Sequence, residues 1–237
     1  MEKTKLRLLA ASLAALAAIA GLAAYFTNSD TVTNVFPSSA LRIQVIEPHW
    51  IDSQTIVPNQ QVDKDPYIVN TDETPAYVFM KVTVPTRKVT VEKREEDAQK
   101  GTHFVTENVP LFHFLTQNSS YTEAELLTSL QHHNNGWYLM PGYPNELTEK
   151  TDTLTYLYAW TGGNQDSTMA VLAPDQRTDF PLFDQVLFCN AREDEQLPGS
   201  IQKIRIEVYG IQTEYLKSPT ETETTAEEVW KLLTSSS

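Results

Sequence analysis

Ala76-Tyr77-Val78-Phe79-Met80-Lys81-Val82-Thr83-Val84 is the stretch of this chain that decides its fold. Side chains branched at Cβ lose rotamer freedom in a helix and pack well on a pleated surface, so this density of valine, threonine and aromatic residues predicts a strand. Pro85, which has no amide hydrogen to give to a ladder, is expected to close it. Upstream, Leu41-Arg42-Ile43-Gln44-Val45 alternates apolar and polar as a half-buried strand does, and Glu47-Pro48-His49-Trp50 ends it. Val62-Asp63-Lys64-Asp65-Pro66-Tyr67-Ile68-Val69-Asn70 follows, with Asp65-Pro66 pointing to an edge strand or a bulge. Downstream, strands are expected over residues 137–140, 154–160, 167–172, 182–188 and 201–211. Leu154, Tyr156, Tyr158 and Trp160 fall on one face, and Ile204, Ile206 and Val208 alternate against Lys203, Arg205 and Glu207. Many short strands with turn residues between them, such as Thr161-Gly162-Gly163-Asn164, and no βα alternation predict an all-β fold, an antiparallel β-sandwich.

Two segments change period. Thr122-Glu123-Ala124-Glu125 is a capping box, and Leu126, Leu127 and Leu130 supply an apolar face, so a short helical insertion is expected as far as Gln131. His132-His133-Asn134-Asn135-Gly136 then stops it, the histidines reading as a polar helix end suited to partial positive charge. Thr225-Ala226-Glu227-Glu228-Val229-Trp230-Lys231-Leu232-Leu233 carries a second capping box and predicts a short amphipathic C-terminal helix. Residues 86–110, with the charge run Lys93-Arg94-Glu95-Glu96-Asp97, read as an exposed connection with a frayed hairpin.

The N-terminus has the form of an export signal. Lys3, Lys5 and Arg7 precede an alanine-rich apolar run over residues 8–24 that is weak for a stable membrane span, which needs ~20 strongly apolar residues. Gly21 and Ala23 are the small residues a signal peptidase requires, which places the cut between Ala23 and Ala24; retention as an anchor is the alternative. Residues 1–23 are then a signal peptide and 24–237 a single β-sandwich domain. Just beyond the cut, Thr31-Val32-Thr33-Asn34-Val35-Phe36 has strand chemistry. Without residues 1–23 the chain keeps 15 basic and 30 acidic residues, a net charge of −15 that disfavours nucleic acid and anionic lipid. Cys189 is the only cysteine, so no intramolecular disulfide forms; it reads as a small apolar residue closing a strand.

Several segments in order resemble the TasA and camelysin (CalY) family of exported Gram-positive proteins, whose signals are cut by a SipW-type signal peptidase. They are Ala24-Tyr25-Phe26-Thr27-Asn28-Ser29-Asp30, Glu47-Pro48-x-Trp50, Lys64-Asp65-Pro66-x-x-x-Asn70, and Pro75-Ala76-Tyr77-Val78-Phe79-Met80-Lys81-Val82. Leu172-Ala173-Pro174 with Thr178, Pro181-Leu182-Phe183-Asp184-x-Val186 and Ala226-Glu227-Glu228-x-Trp230 complete the set. The resemblance implies a jelly-roll-like sandwich, secretion to the cell surface or the extracellular biofilm matrix, and self-association or association with sister proteins. In the best-known members an N-terminal strand is donated to a neighbouring subunit to build fibres. Residues Thr31, Val32, Thr33, Asn34, Val35 and Phe36 are the donor candidates here, because an extended segment adds to a sheet edge through backbone hydrogen bonds. The chain departs from the fibre formers in its polar 86–110 stretch, its His132-His133 loop and its Asp65-Pro66 turn.

No catalytic, cofactor or metal motif stands out. Camelysin-type relatives are classed as metallopeptidases, but the five histidines (His49, His103, His113, His132, His133) include no pair one helical turn apart beside a glutamate. Gly162-Gly163 lacks the lysine of a phosphate loop, and Gly199-Ser200 lacks the surround of a hydrolase nucleophile. Asp63, Asp65, Asp179 and Asp184 are oxygen ligands without a calcium-loop spacing. A non-enzymatic structural or surface protein is therefore expected. The alternatives are a metal-dependent endopeptidase, and a monomeric surface-binding module using Trp50, Tyr143 and Trp160.

Overall fold

Strand β5, Ala76–Arg94, is the axis of the protein: β6, β9 and β11 all pair with it. In chain order the remaining strands are β1 (Thr31–Thr33), β2 (Ile43–Ile46), β3 (Gln61–Asp63), β4 (Tyr67–Asn70), β6 (Thr102–Pro110), β7 (Phe112–Leu115), β8 (Trp137–Leu139), β9 (Thr153–Trp160), β10 (Gln185–Phe188) and β11 (Arg205–Gln212). Helix α1, Ala226–Ser235, comes last. The computed structural model describes residues 31–33, 41–50, 57–94, 102–116, 132–164, 166–191, 203–216 and 224–235. The helix expected over 122–131 and the 1–23 signal segment lie outside the described residues.

One layer has the order β1-β11-β5-β9-β8, with β6 paired to the far half of β5. The other is built from β3-β10-β7 and β2-β4. Residues 64–70 stitch these two pieces together by running beside 176–184: the amides of Lys64, Thr178, Leu182 and Asn70 donate to the carbonyls of Asp184, Ile68, Pro66 and Gln176. The layers curl into half a barrel, and the all-β, sandwich-like class expected from the sequence is what the chain adopts. All pairing between named strands is antiparallel except that of β1 with β11.

Period-2 alternation sorts β5, β9 and β11 into two faces. Val78, Met80, Val82, Val84, Tyr156, Tyr158, Trp160, Ile206 and Val208 share one core with Ile43, Ile68, Phe114, Phe183 and Val186 of the second layer. Leu154, Tyr156, Tyr158 and Trp160 thus do lie on one buried face, as their spacing predicts. The opposite face is also dry: Phe79, Leu157, Ala159 and Ile211 are covered by Ala226, Val229 and Leu233 of α1. That is why β5 reads as near-continuous hydrophobic sequence rather than a clean alternation. Helix α1 begins at its capping box, with the Glu228 amide donating to Thr225 Oγ1 (3.4 Å) and the Thr225 amide to Glu228 Oε2 (3.4 Å).

Two expectations are corrected. Pro85 does not end its strand, because it sits where β5 changes partners: it pairs with Thr153 of β9, and the next residue, Thr86, pairs with Pro110 of β6. The missing amide falls at that handover, while the Pro85 carbonyl accepts the Leu111 amide at 2.9 Å. Nor are residues 86–94 and 102–110 an exposed connection: nine registered pairs join β5 to β6, and Val89, Val91 and Val109 bury one face, while residues 95–101 lie outside the described residues. The expected 167–172 strand reduces to isolated bridges at Thr168 and Leu172. Cys189 is buried, and its amide donates to Leu111 O at 2.9 Å, in keeping with a small apolar residue at the end of a strand.

The ring of Phe114 stacks on Phe183 with 4.1 Å between centroids and meets Tyr156 of the other layer at 5.9 Å. Phe114→Ala removes this bridge between layers and leaves a void, so it should cost about 3–5 kcal/mol in equilibrium urea unfolding.

Candidate functional site: the two ends of the main sheet

The ends of the five-strand path are closed in different ways, and the difference defines the candidate site. At one end, β8 covers only the last residues of β9. The rest of that edge is capped by a side chain: Asn145 Oδ1 accepts the Thr155 amide (2.7 Å), and Asn145 Nδ2 donates to Thr153 O (3.1 Å). An amide side chain thus substitutes for a strand and blunts the edge. The loop bearing Asn145 is held in turn by Asn108, whose Nδ2 donates to Thr148 O (2.6 Å) and Thr151 O (2.9 Å).

At the other end lies β11, eight residues long; among the described residues, Glu207, Val208 and Tyr209 of it pair with β1. The pairing is parallel, with Thr31, Val32 and Thr33 opposite those residues in order. Parallel pairs are slightly less stable per residue than antiparallel ones, and three rungs are few. Of the donor candidates, Thr31, Val32 and Thr33 therefore occupy an edge position in the chain's own sheet. Asn34, Val35 and Phe36, and the cleavage pair Ala23 and Ala24, lie outside the described residues.

The rung of Glu207 carries an ion cluster. Glu207 is buried; its Oε2 lies 2.7 Å from Lys81 Nζ, and its Oε1 accepts from Arg205 Nη2 at 2.9 Å. Lys81 Nζ also donates to Tyr209 Oη at 3.3 Å. Burial works to lower the Lys81 pKa, but the hydrogen bonds to Glu207 and Tyr209 outweigh it and hold the value above the ordinary one. Beside the cluster, Trp230 of α1 meets the Tyr209 ring edge-on (5.3 Å, 89°) and the Phe79 ring at 5.1 Å.

A second polar constellation, absent from the expected site residues, joins two of the quoted motifs. Lys64 Nζ lies 2.6 Å from Glu47 Oε1 with both side chains nearly sealed from water, and Lys64 sits over the Trp50 ring at 4.3 Å. Next to it, Asp65 takes both donors of one residue: Oδ1 accepts the His49 amide (3.0 Å), and Oδ2 accepts from His49 Nδ1 (2.7 Å). Glu47-Pro48-His49-Trp50 and Lys64-Asp65-Pro66 therefore clasp one another across 16 residues of sequence. The nearest signal was their separate prominence as motifs; that they meet is a tertiary fact.

The remaining candidates do not converge. Asp63 Oδ1 accepts from Gln185 Nε2 (2.6 Å), Asp184 Oδ2 from Asn134 Nδ2 (2.8 Å), and Asp179 is exposed elsewhere. Among the described residues no three His, Cys, Asp or Glu side chains come together in a way that could hold a metal. His132 and His133 precede β8 in irregular backbone, and the helix expected to end at them lies outside the described residues. The His133 ring stands edge-on to Tyr158 (5.4 Å), Nδ1–H donates to Asn134 O (3.1 Å), and burial pulls its pKa down. Of the proposed contact aromatics, Trp160 is core against Trp137, Trp50 lies beneath Lys64, and Tyr143 packs under the α1 side of the sheet. No protein-family model, curated protein or solved structure compared with the chain matches it.

Two outcomes are expected of the clasp. Lys64→Met leaves the Glu47 carboxylate buried without its cation and should cost about 3–5 kcal/mol in urea unfolding, with much of the loss recovered when Glu47→Leu is added. The hydrogen bond and charge of Asp65 raise the His49 pKa. The charged pair is thus fully formed below the unfolded histidine pKa and is lost as pH rises through the higher folded value. NMR titration of the His49 ring should give a midpoint above about 6.5 that falls back in Asp65→Asn.

Proposed function

We propose that this chain is an exported structural protein of a Gram-positive cell surface or biofilm matrix that associates with copies of itself by donating its N-terminal strand. The reading rests on the resemblance to the TasA and camelysin family set out above. The observation that supports it is the closure of the β11 edge: among the described residues three parallel rungs hold β1 at one end of the sheet, while the other end is capped by Asn145. A strand so held is exchangeable, because the same backbone groups of β11 accept residues 31–33 of the same chain or of a neighbour. The cis strand then acts as a plug that keeps single copies soluble, and self-association proceeds by exchange without exposing a bare edge.

On this reading a SipW-type signal peptidase cuts between Ala23 and Ala24 and frees the segment that carries Thr31, Val32, Thr33, Asn34, Val35 and Phe36. A donor still tethered to an apolar leader in the membrane reaches no second copy. The net charge of −15 on residues 24–237 opposes packing of like surfaces, so assembly should strengthen with ionic strength.

Size-exclusion chromatography with light scattering on residues 24–237 and 37–237 tests this. Large species that grow from 50 to 300 mM salt are expected from the longer chain only; equal elution of both, at every salt concentration, would refute strand donation.

A further inference from the structure

We propose that the Thr153–Thr155 stretch of the β9 edge is a seat for β9 of a second copy, paired across a two-fold axis at Leu154, and that the Asn145 amide is the plug that keeps it shut. This goes beyond strand donation and stands or falls apart from it, because β1 and the β11 edge take no part.

The direction in which β9 aims its backbone groups follows from one bond. The Thr86 amide of β5 donates to Asp152 O at 2.9 Å, and the two residues continue the antiparallel register in which Pro85 faces Thr153. Backbone groups alternate in direction along a strand, so residues 152, 154 and 156 turn theirs toward β5, and 153, 155 and 157 turn theirs outward. Leu157 O is met by the Met140 amide (2.9 Å), just past the end of β8. At Thr153 and Thr155 a side chain arrives instead: Thr153 O accepts from Asn145 Nδ2, and the Thr155 amide donates to Asn145 Oδ1.

Those two groups are the ones a second β9 would use. In an antiparallel pair centred on Leu154, Thr153 of one copy faces Thr155 of the other, and the two residues exchange N–H···O bonds. The second copy thus offers an amide to Thr153 O and a carbonyl to the Thr155 amide, the same donor and acceptor that Asn145 supplies from one side chain. The match is reciprocal, as a two-fold interface requires. Leu154 is buried in the inner core, so the axis sets two apolar side chains next to each other and extends that face. The plug is fastened through its loop: Asn108 Nδ2 donates to Thr148 O and Thr151 O, and Lys88 Nζ lies 2.9 Å from Glu149 Oε2. A second copy enters only when this loop lifts, and the bonds lost in both copies oppose that step.

The test compares residues 24–237 with Asn145→Ala, Asn108→Ala and Asn145→Ala combined with Thr155→Pro, by sedimentation velocity from about 5 to 500 μM, with protection of the β5 amides as the check of folding. Asn145→Ala should dimerise with a Kd of about 100 μM or tighter, at least about tenfold tighter than the unsubstituted chain, and its Thr155 amide should exchange about tenfold faster when dilute than when concentrated. Asn108→Ala, which loosens the loop and keeps the plug, should shift the same equilibrium by a smaller factor. Thr155→Pro removes the outward donor and spares the β5 ladder, so the double variant should return to the behaviour of the unsubstituted chain. A folded Asn145→Ala chain that stays monomeric, or a dimer that survives Thr155→Pro, would overturn the inference. Should Asn145→Ala lose protection of its β5 amides, Asn108→Ala with and without Thr155→Pro decides in the same way. Larger species formed by the unsubstituted chain report on strand donation, and only the difference made by the variants reports on the plug.

Discussion

The constraint on which this protein depends is the continuous hydrogen bonding of β5 along both of its halves. It pairs with β11 from Ala76 to Thr83, with β9 from Phe79 to Pro85, and with β6 from Thr86 to Arg94. A buried strand must satisfy every amide and carbonyl, because an unpaired backbone group away from water costs about as much as a lost hydrogen bond. Once that requirement is met, the positions of β6, β9 and β11 are settled, and with them the two faces on which the second layer and α1 rest. Proline at 85 is compatible with this arrangement because its missing donor falls where one partner leaves and the next arrives.

Each face of the main sheet is sealed differently. The inner face packs on the second layer through aromatic contacts such as Phe114 with Phe183 and Tyr156. The outer face is closed by one helix, with Trp230 resting on Phe79 and Tyr209. The two pieces of the second layer are held together less by a regular ladder than by the backbone bonds of residues 64–70 and by the clasp of Glu47 and His49 on Lys64 and Asp65. Buried ion pairs of this kind often add little net stability over apolar packing, but the charge left behind when one partner is lost is costly. The clasp therefore ties the turn after β2 to one place on the second layer.

The edges connect fold to function. A sheet end is a row of unpaired donors and acceptors that recruits another strand unless it is blunted. Here the β9 end is blunted by Asn145, whereas at the β11 end three rungs of β1 are described, beside one buried carboxylate paired with two cations.

Much of this was legible in the residues. Alternation located β2, β4, β9 and β11, the density of branched and aromatic side chains located β5, and Thr225 with Glu228 announced the helix that forms, because these signals act over a few neighbouring positions and need no distant partner. The 86–110 ribbon was read as an exposed connection because Lys88, Glu92 and Lys93 masked the period of Val89, Val91 and Val109, whose burial depends on where β10 and its extension lie. Thr31, Val32 and Thr33 showed strand chemistry by themselves, but their parallel seat on β11 did not show, since pairing direction depends on residues nearly 180 positions away in sequence. The same holds for Lys64 and Glu47: composition marks both as charged, and only the folded chain brings them together out of water. Local stereochemistry and periodicity determined which segments are strands and which is a helix; long-range packing alone decided which strands pair, in which direction, and which charges meet.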